Sequence, residues 1–365
     1  MKKISAVSIF LVIVSVLSFS AEKNSKPVLR FNPDGKFKIV QFTDIHFQYN
    51  SYRSDSALIL MGKIIDLERP DLVILTGDIV CSNNTKLAWI SLSKVMIEAK
   101  VPWAVTFGNH DRDFELTGEQ IIKMIADFPY NLTVNGPENN SGNGNYLLNI
   151  LSSKASKTSA LIYCFDSHNG LDSKLQLTDL GIWKWINFDQ IEWYRKLSGK
   201  ITKRNGGVPI PSLAFFHIPL PEYREFTGGK AIVGIQKETV ASYGRTGPDI
   251  SLLSAMSPDI NSGLFAAMIE SKDVMGIFVG HNHNNNYIGC LKNICLAYGN
   301  VSGRQCYGDI GRGARVIELY EGERKFDSWI LKLYECNRDS DTWMPTKDLK
   351  PKFFVTYPDS FINKE

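Results

Sequence analysis

The chain has 365 residues, enough to bury one large core or two modest ones. Its 44% hydrophobic and 22% charged content excludes a disordered or fibrous protein. A formal charge of +3 is too small for a surface built to hold nucleic acid or an anionic membrane.

At the N-terminus, Lys2 and Lys3 precede an uncharged apolar run from Ile4 to Phe19, then Ser20 and Ala21. This arrangement predicts a secretory signal peptide over residues 1–20, cleaved near Ser20 or Ala21. A membrane anchor is the alternative, but the run is short for a span and no basic stop follows. Cleavage predicts an exported protein, periplasmic or extracellular, with no stable membrane insertion. Losing the two lysines takes 41 basic residues to 39 against 38 acidic, a net charge of +1, so no nucleic-acid partner is expected.

One domain is expected over residues 21–340, with 341–365 a tail or an edge strand. "FKIVQFTDIHF" (37–47) reads as a buried strand running into a loop. A helix follows at 55–68, a strand at 71–80, a helix over Thr85–Ala99, a strand at 102–111 and a helix over Leu116–Phe128. That βαβαβ rhythm predicts a largely parallel sheet covered by helices. The Asn/Gly/Ser-rich stretch 131–145 reads as a loop. Strands at 146–152 and 160–166 and a helix around Asp189–Leu197 come next. Strands return at 212–220 and 274–283, separated by a glycine-rich loop at 225–250. "ARVIELYEG" and "KFDSWILKLY" predict a final antiparallel pair.

In "YIGCLKNICLAYG", a two-residue turn at Lys292-Asn293 would set Cys290 opposite Cys295, within disulfide reach. The alternative is two separately buried thiols.

Five apolar strands end in ligand-type residues: Asp44 and His46; Asp78; Asn109, His110 and Asp111; His217; His281 and His283. These ends hold five of the six histidines, only His168 lying elsewhere. In open α/β sheets, ligands collect beyond the carboxyl ends of strands, so five such ends can converge on one place. Imidazole with carboxylate suits zinc, iron or manganese, and a set without a thiolate argues against a structural zinc finger. Seven ligands (Asp44, His46, Asp78, Asn109, His217, His281, His283) are too many for one ion and suit two. A shared carboxylate holds such a pair about 3.5–4 Å apart, and Asp78, on a glycine-flanked turn, is the expected bridge. Gly77 and Gly108 fit a backbone that must come close to the ions. On an extended chain His281 and His283 would point to the same side.

The set Asp44-x-His46, Gly77-Asp78, Gly108-Asn109-His110-Asp111, His217 and Gly280-His281-Asn282-His283 resembles the calcineurin-like metallophosphoesterase superfamily over residues 37 to 320. "FKIVQFTDIHF", "PWAVTFGNHD", "FFHIPLPEY" and "YGDIGRGARVIEL" are similar to its purple acid phosphatase 29-like subgroup and bacterial and fungal relatives. The resemblance implies an α/β fold, a four-layer α/β/β/α sandwich of two mixed β-sheets flanked by helices. It implies Asp44, His46, Asp78 and His283 on one metal, and Asp78, Asn109, His217 and His281 on the other. It further implies hydrolysis of small-molecule phosphate mono- or diesters by water activated between two ions of Mn, Fe or Zn. His110 would serve as acid or phosphate donor, oriented by Asp111; for Asp111, a surface salt bridge with Arg112 is the alternative. The purple enzymes carry a tyrosine three residues after the bridging aspartate, whereas this chain has Cys81, so no purple colour is expected. Cys81 reads as a buried or paired thiol, with metal ligation the alternative.

Three further features are open at this level. His168 lines the pocket or sits in a loop. Arg304 and Arg312 belong to a structural loop or contact phosphate. Trp183, Trp185 and Trp193 pack, or stack on a sugar. A metal-binding but catalytically weak protein is the alternative function; a nuclease is disfavoured by charge and export.

Overall fold

In a computed structural model, the structure describes residues 26–172, 174, 179–226, 255–308, 310–335, 343–345 and 353–356. The signal peptide at 1–20, nearly all of the loop at 225–250 and most of 341–365 lie outside the described residues.

The first sheet grows from the alternating strands and helices of the N-terminal half. Strands β1 (Lys36–Phe42), β2 (Leu72–Thr76) and β3 (Trp103–Thr106) run parallel, linked by helices α1 (Tyr52–Glu68) and α2 (Thr85–Glu98). Helix α3 (Gly118–Ile125) follows, opened by a reciprocal Thr117/Gln120 cap. β10 (Gly313–Tyr320) pairs antiparallel with β1, and β11 (Lys325–Glu335) with β10. β12 (Trp343–Pro345) and β13 (Phe353–Thr356) both pair antiparallel with β11.

The second sheet has the order β4-β5-β6-β7-β9-β8. β4 (Tyr146–Leu151) and β5 (Thr158–Cys164) are antiparallel; β5, β6 (Ser212–Phe215), β7 (Val274–Val279) and β9 (Ile294–Tyr298) run parallel; β8 (Ile288–Leu291) closes a hairpin with β9. Helices α4 (Phe188–Arg204) and α5 (Leu264–Ser271) cover it. α4 continues to Arg204, well past the predicted end at Leu197, because Ile201 and the cap at Asn205 prolong the same turn pattern.

Side-chain alternation assigns the layers. In β2, Leu72 and Ile74 join the inter-sheet core with Ile39, Ile150, Ile162 and Phe278. Val73 and Leu75 point the other way, against Leu60, Ile64, Trp89 and Ile121 of α1–α3. Leu161, Ala214 and Ile277 face α4 and α5 through Ile191, Tyr194 and Met268. The result is helix, sheet, sheet, helix: two mixed sheets flanked by helices, as the resemblance implied. The hairpin register sets Cys290 opposite Cys295 and Leu291 opposite Ile294, and the two sulfurs are bonded.

Candidate metal centre

The five predicted strands that end in ligand-type residues run four or five residues too far at their carboxyl ends, and the excess is where the candidate ligands sit. β1 stops at Phe42, β2 at Thr76, β3 at Thr106, β6 at Phe215 and β7 at Val279. Asp44, His46, Asp78 and His281 all take left-handed backbone, with φ of 52°, 46°, 49° and 80°. A left-handed residue cannot continue a strand, and for a side chain with a Cβ it costs about 1–2 kcal/mol. His281 and His283 therefore do not share one face of an extended segment; His281 precedes, and His283 lies within, a tight turn in which Asn285 N–H donates to Asn282 O.

Backbone bonds lock these turns together. Asp44 N–H donates to Gly77 O (3.1 Å), His46 N–H to Asp78 O (2.8 Å), and Gly280 N–H to His217 O (3.0 Å). The two sheets meet here, His217 and His283 from the second reaching Asp78 and Asp44 of the first. His217 Nε2 is 3.3 Å from Asp78 Oδ2, His283 Nε2 is 3.2 Å from Asp44 Oδ1, and His46 Nε2 is 3.5 Å from Asp78 Oδ2. A Cβ on Gly77 would enter the His217 ring, and one on Gly108 would enter the Asp78 carboxylate.

The donors of Asp44, His46, Asp78 and His283 lie within 4.8 Å of one another and could hold one cation. His283 Nδ1–H donates to Tyr307 O (2.9 Å) and His217 Nδ1–H to Thr76 O (2.8 Å), which leaves each Nε2 as the coordinating atom. His46 Nε2 and His283 Nε2 face each other at 3.2 Å, an arrangement that a shared cation relieves. Asn109 Oδ1, His217 Nε2 and His281 Nε2 are buried and make no hydrogen bond. Orphaned buried donors of this kind are costly unless something fills their coordination, so the residues fit a second ion beside the first.

The charges reinforce one another. Burial pushes His46 down to about 4 and His281 down to about 3, so both are neutral and able to coordinate a cation. Burial also disfavours charge on His217 and His283, but Asp78 and Asp44 outweigh it and raise them to about 9 and about 11. The same histidines hold Asp44 and Asp78 below the usual carboxylate range despite burial.

Asp111 does not orient His110. Its buried carboxylate accepts backbone N–H groups of Asp78, Ile79, Val80 and Gly108, tying the β2 and β3 turns together. Nor does it pair with Arg112, which bonds to Asp166. The half-exposed His110 ring is instead held by Asp113, with Nδ1 2.6 Å from Oδ2, while His110 N–H donates to Asp78 Oδ1 (2.8 Å). The Asp113 contact is one turn along in "GNHDRD", so an i,i+3 spacing was the available signal. The rings of His110 and His46 are 5.6 Å apart.

The open features resolve as well. His168 anchors a loop, its Nε2 2.8 Å from Gln190 Oε1 at the start of α4. Cys81 is buried behind His46, Sγ 3.3 Å from Nδ1. Arg312 organises its loop by donating to the carbonyls of Gly308 and Ile310. Trp193 packs against Tyr163 and Phe165, whereas Trp183 stands edge-on to His281 at 4.3 Å, beside the site.

Two mixed sheets between helices, with histidines and carboxylates gathered where strand ends converge, are the build of a dimetal phosphatase. The chain belongs to the calcineurin-like phosphoesterases, whose family model matches residues 37–285. An Arabidopsis thaliana protein named probable inactive purple acid phosphatase 29 is 32% identical over 82% of this chain and 81% of its own. Phosphatase DCR2 of Saccharomyces cerevisiae is 28% identical over 82% of this chain and 54% of its own. Among solved structures, a Danio rerio dimetal phosphatase superposes with a TM-score of 0.51 at 11% identity, covering 80% of this chain and 95% of that one. A purple acid phosphatase from yellow lupin seeds gives 0.52 at 14% identity, over 90% and 55%. At such identities the two structures bear on the fold alone.

Proposed function

We propose that this chain is an exported dinuclear-metal phosphoesterase acting on small-molecule phosphate mono- or diesters. The observation that carries the reading is the convergent donor set, above all Asn109 Oδ1 and His281 Nε2, which are buried and make no hydrogen bond. Asp44, His46, Asp78 and His283 would hold one ion; Asp78, Asn109, His217 and His281 the other. Bound cations supply Lewis-acid neutralisation of phosphoryl oxygens and a water acidic enough to attack near neutral pH.

The remaining work falls to the protein. Asp78 is fixed by the His110 amide on one oxygen and faces His217 and His46 with the other, so it can serve both ions without swinging. Thr43 Oγ1 and the His281 amide hold the Asp44 carboxylate in place. Asp113 takes the Nδ1–H of His110, which directs Nε2 to deliver a proton to the departing oxygen. Export rests on the N-terminal sequence; among the described residues no helix is long and apolar enough to cross a membrane.

A second reading, a metal-binding protein with little turnover, is favoured by the printed name of the Arabidopsis relative and opposed by the intact His110–Asp113 pair. Turnover of an aryl phosphate monoester against an aryl diester, with added Mn, Fe or Zn and a metal count on the same sample, separates the two. Two bound metals without turnover would favour the second reading, and no bound metal would sink both.

A further inference from the structure

We propose that Cys306 is a sulfur ligand to the cation held by Asp44, His46, Asp78 and His283; the assignment rests on the metal-centre reading above. Its sulfur lies with one ring nitrogen of His46 and one of His283 in a group whose atoms are all within 4.8 Å of one another, and the same two histidines form a second such group with the carboxylates of Asp44 and Asp78. Two donors sharing one ion, with bonds of about 2.3 Å to sulfur and 2.0 Å to nitrogen, sit about 3–3.5 Å apart. Even from the 4.8 Å limit, a shift of about 1–2 Å closes the difference.

The loop bearing Cys306 is built to hold that position. Ser302 N–H donates to Thr43 O (2.9 Å) and Gly303 N–H to Asp44 O (3.1 Å), so the segment runs beside the turn that carries Asp44 and His46. The next residue after Cys306, Tyr307, accepts the Nδ1–H of His283 on its carbonyl and stacks on the same ring at 4.0 Å. Arg312 fastens the loop from behind, donating to the carbonyls of Cys306 (3.2 Å), Gly308 (3.0 Å) and Ile310 (2.9 Å). Cys306 is thus held close to both imidazoles. Its present partners, the carbonyls of Asp44 and Gly303 at 3.5 Å, are weak for a thiol donor and easily exchanged for a metal bond. Cys81 is placed differently, against Nδ1 of His46 and away from the nitrogen that faces the carboxylates.

On ligation the thiol proton passes to solvent and the thiolate bonds the cation, with no change of oxidation state. One more negative, polarisable donor biases this position towards zinc, cobalt, iron or cadmium over manganese or magnesium.

Metal-stripped full-length protein loaded with cobalt(II) provides the test, with cobalt counted per chain and thiolate-to-cobalt charge transfer read in the near-ultraviolet. The wild type and Cys81→Ser are expected to bind two cobalt ions and show the band. Cys306→Ser is expected to bind two and lose it. Two bound cobalt ions without a band in the wild type, or a band that survives in Cys306→Ser, overturns the assignment. Should Cys306→Ser misfold, cadmium-113 resonance of the loaded wild type replaces it: a sulfur-shifted signal is expected, and only nitrogen- and oxygen-ligated signals overturn the proposal. Failure to bind cobalt at all removes the metal centre, and this ligand with it.

Discussion

Gly108→Ala is a one-carbon probe of how tightly the backbone is drawn around the bridging carboxylate. A Cβ at this position would lie 2.8 Å from His217 Cδ2 and still closer to the amide and Oδ1 of Asp78. Carbon–carbon contacts relax at about 3.5–4.0 Å, so the His217 ring or the Asp78 turn must retreat by about 1 Å. The neighbours cannot yield freely, because Asp111 pins the Asp78 amide and the Thr76 carbonyl pins His217. Overpacking of this kind costs about 1–3 kcal/mol of stability, and a 1 Å misplacement of reacting groups costs about 10²-fold in rate. Gly62→Ala in α1 is the control, since a Cβ there meets nothing within 4 Å and should stabilise the helix by about 0.5–1 kcal/mol. Thermal unfolding, metal content and aryl phosphate turnover are measured on both variants. A Gly108→Ala protein with full metal content and wild-type turnover would refute the idea that the close approach serves the site.

His110→Ala should keep both metals and lose about 10²–10⁴-fold in turnover, whereas Asp113→Asn should lose less, having lost only the orienting partner; elemental analysis with steady-state kinetics decides, and an unchanged rate in His110→Ala removes that residue from the chemistry. Metal binding should release protons. His217 and His283, raised to about 9 and about 11, are charged at pH 7 and must deprotonate to coordinate, while His46 and His281 are already neutral. About two protons should come from these histidines per filled centre, with a third from the Cys306 thiol if it ligates, and apparent affinity should rise about tenfold per pH unit for each; titration calorimetry in buffers of different ionisation heat counts them. Because both pKa values lie above the unfolded value of 6.5, their contribution to metal-free stability is complete below about pH 6.5 and disappears as pH rises through 9 and then 11. Replacing Cys290 and Cys295 with serine should lower stability by about 2 kcal/mol, the chain-entropy value for so short a loop, without affecting turnover; a larger loss in denaturant melts would mean the bond also positions β8.

The site was legible because its residues follow one rule, apolar strand and then ligand, and because histidines are scarce enough for five such ends to stand out. The layers were legible because strand alternation and helical periodicity survive in the sequence. Strand ends were overextended because apolar residues such as Ile45, Ile79 and Val80 continue past the ladder, buried in the helix-side core while the backbone has already turned. Asp111 and Asp113 carry the same side chain two positions apart, and only the direction of the turn decides which meets His110. Cys306 was invisible as a ligand for another reason: the β8–β9 hairpin separates it from His283, and only the folded loop returns it to that ring.

The left-handed ligand turns make the fold and the centre partly independent. Asp44, His46, Asp78 and His281 hold conformations that glycine or asparagine tolerates better, so exchanging them relieves backbone strain while the two sheets keep their cores. A protein on this scaffold can therefore drift into a non-catalytic partner or scaffold with its architecture intact. The backbone preference runs against these four candidate ligands, and this chain keeps all four.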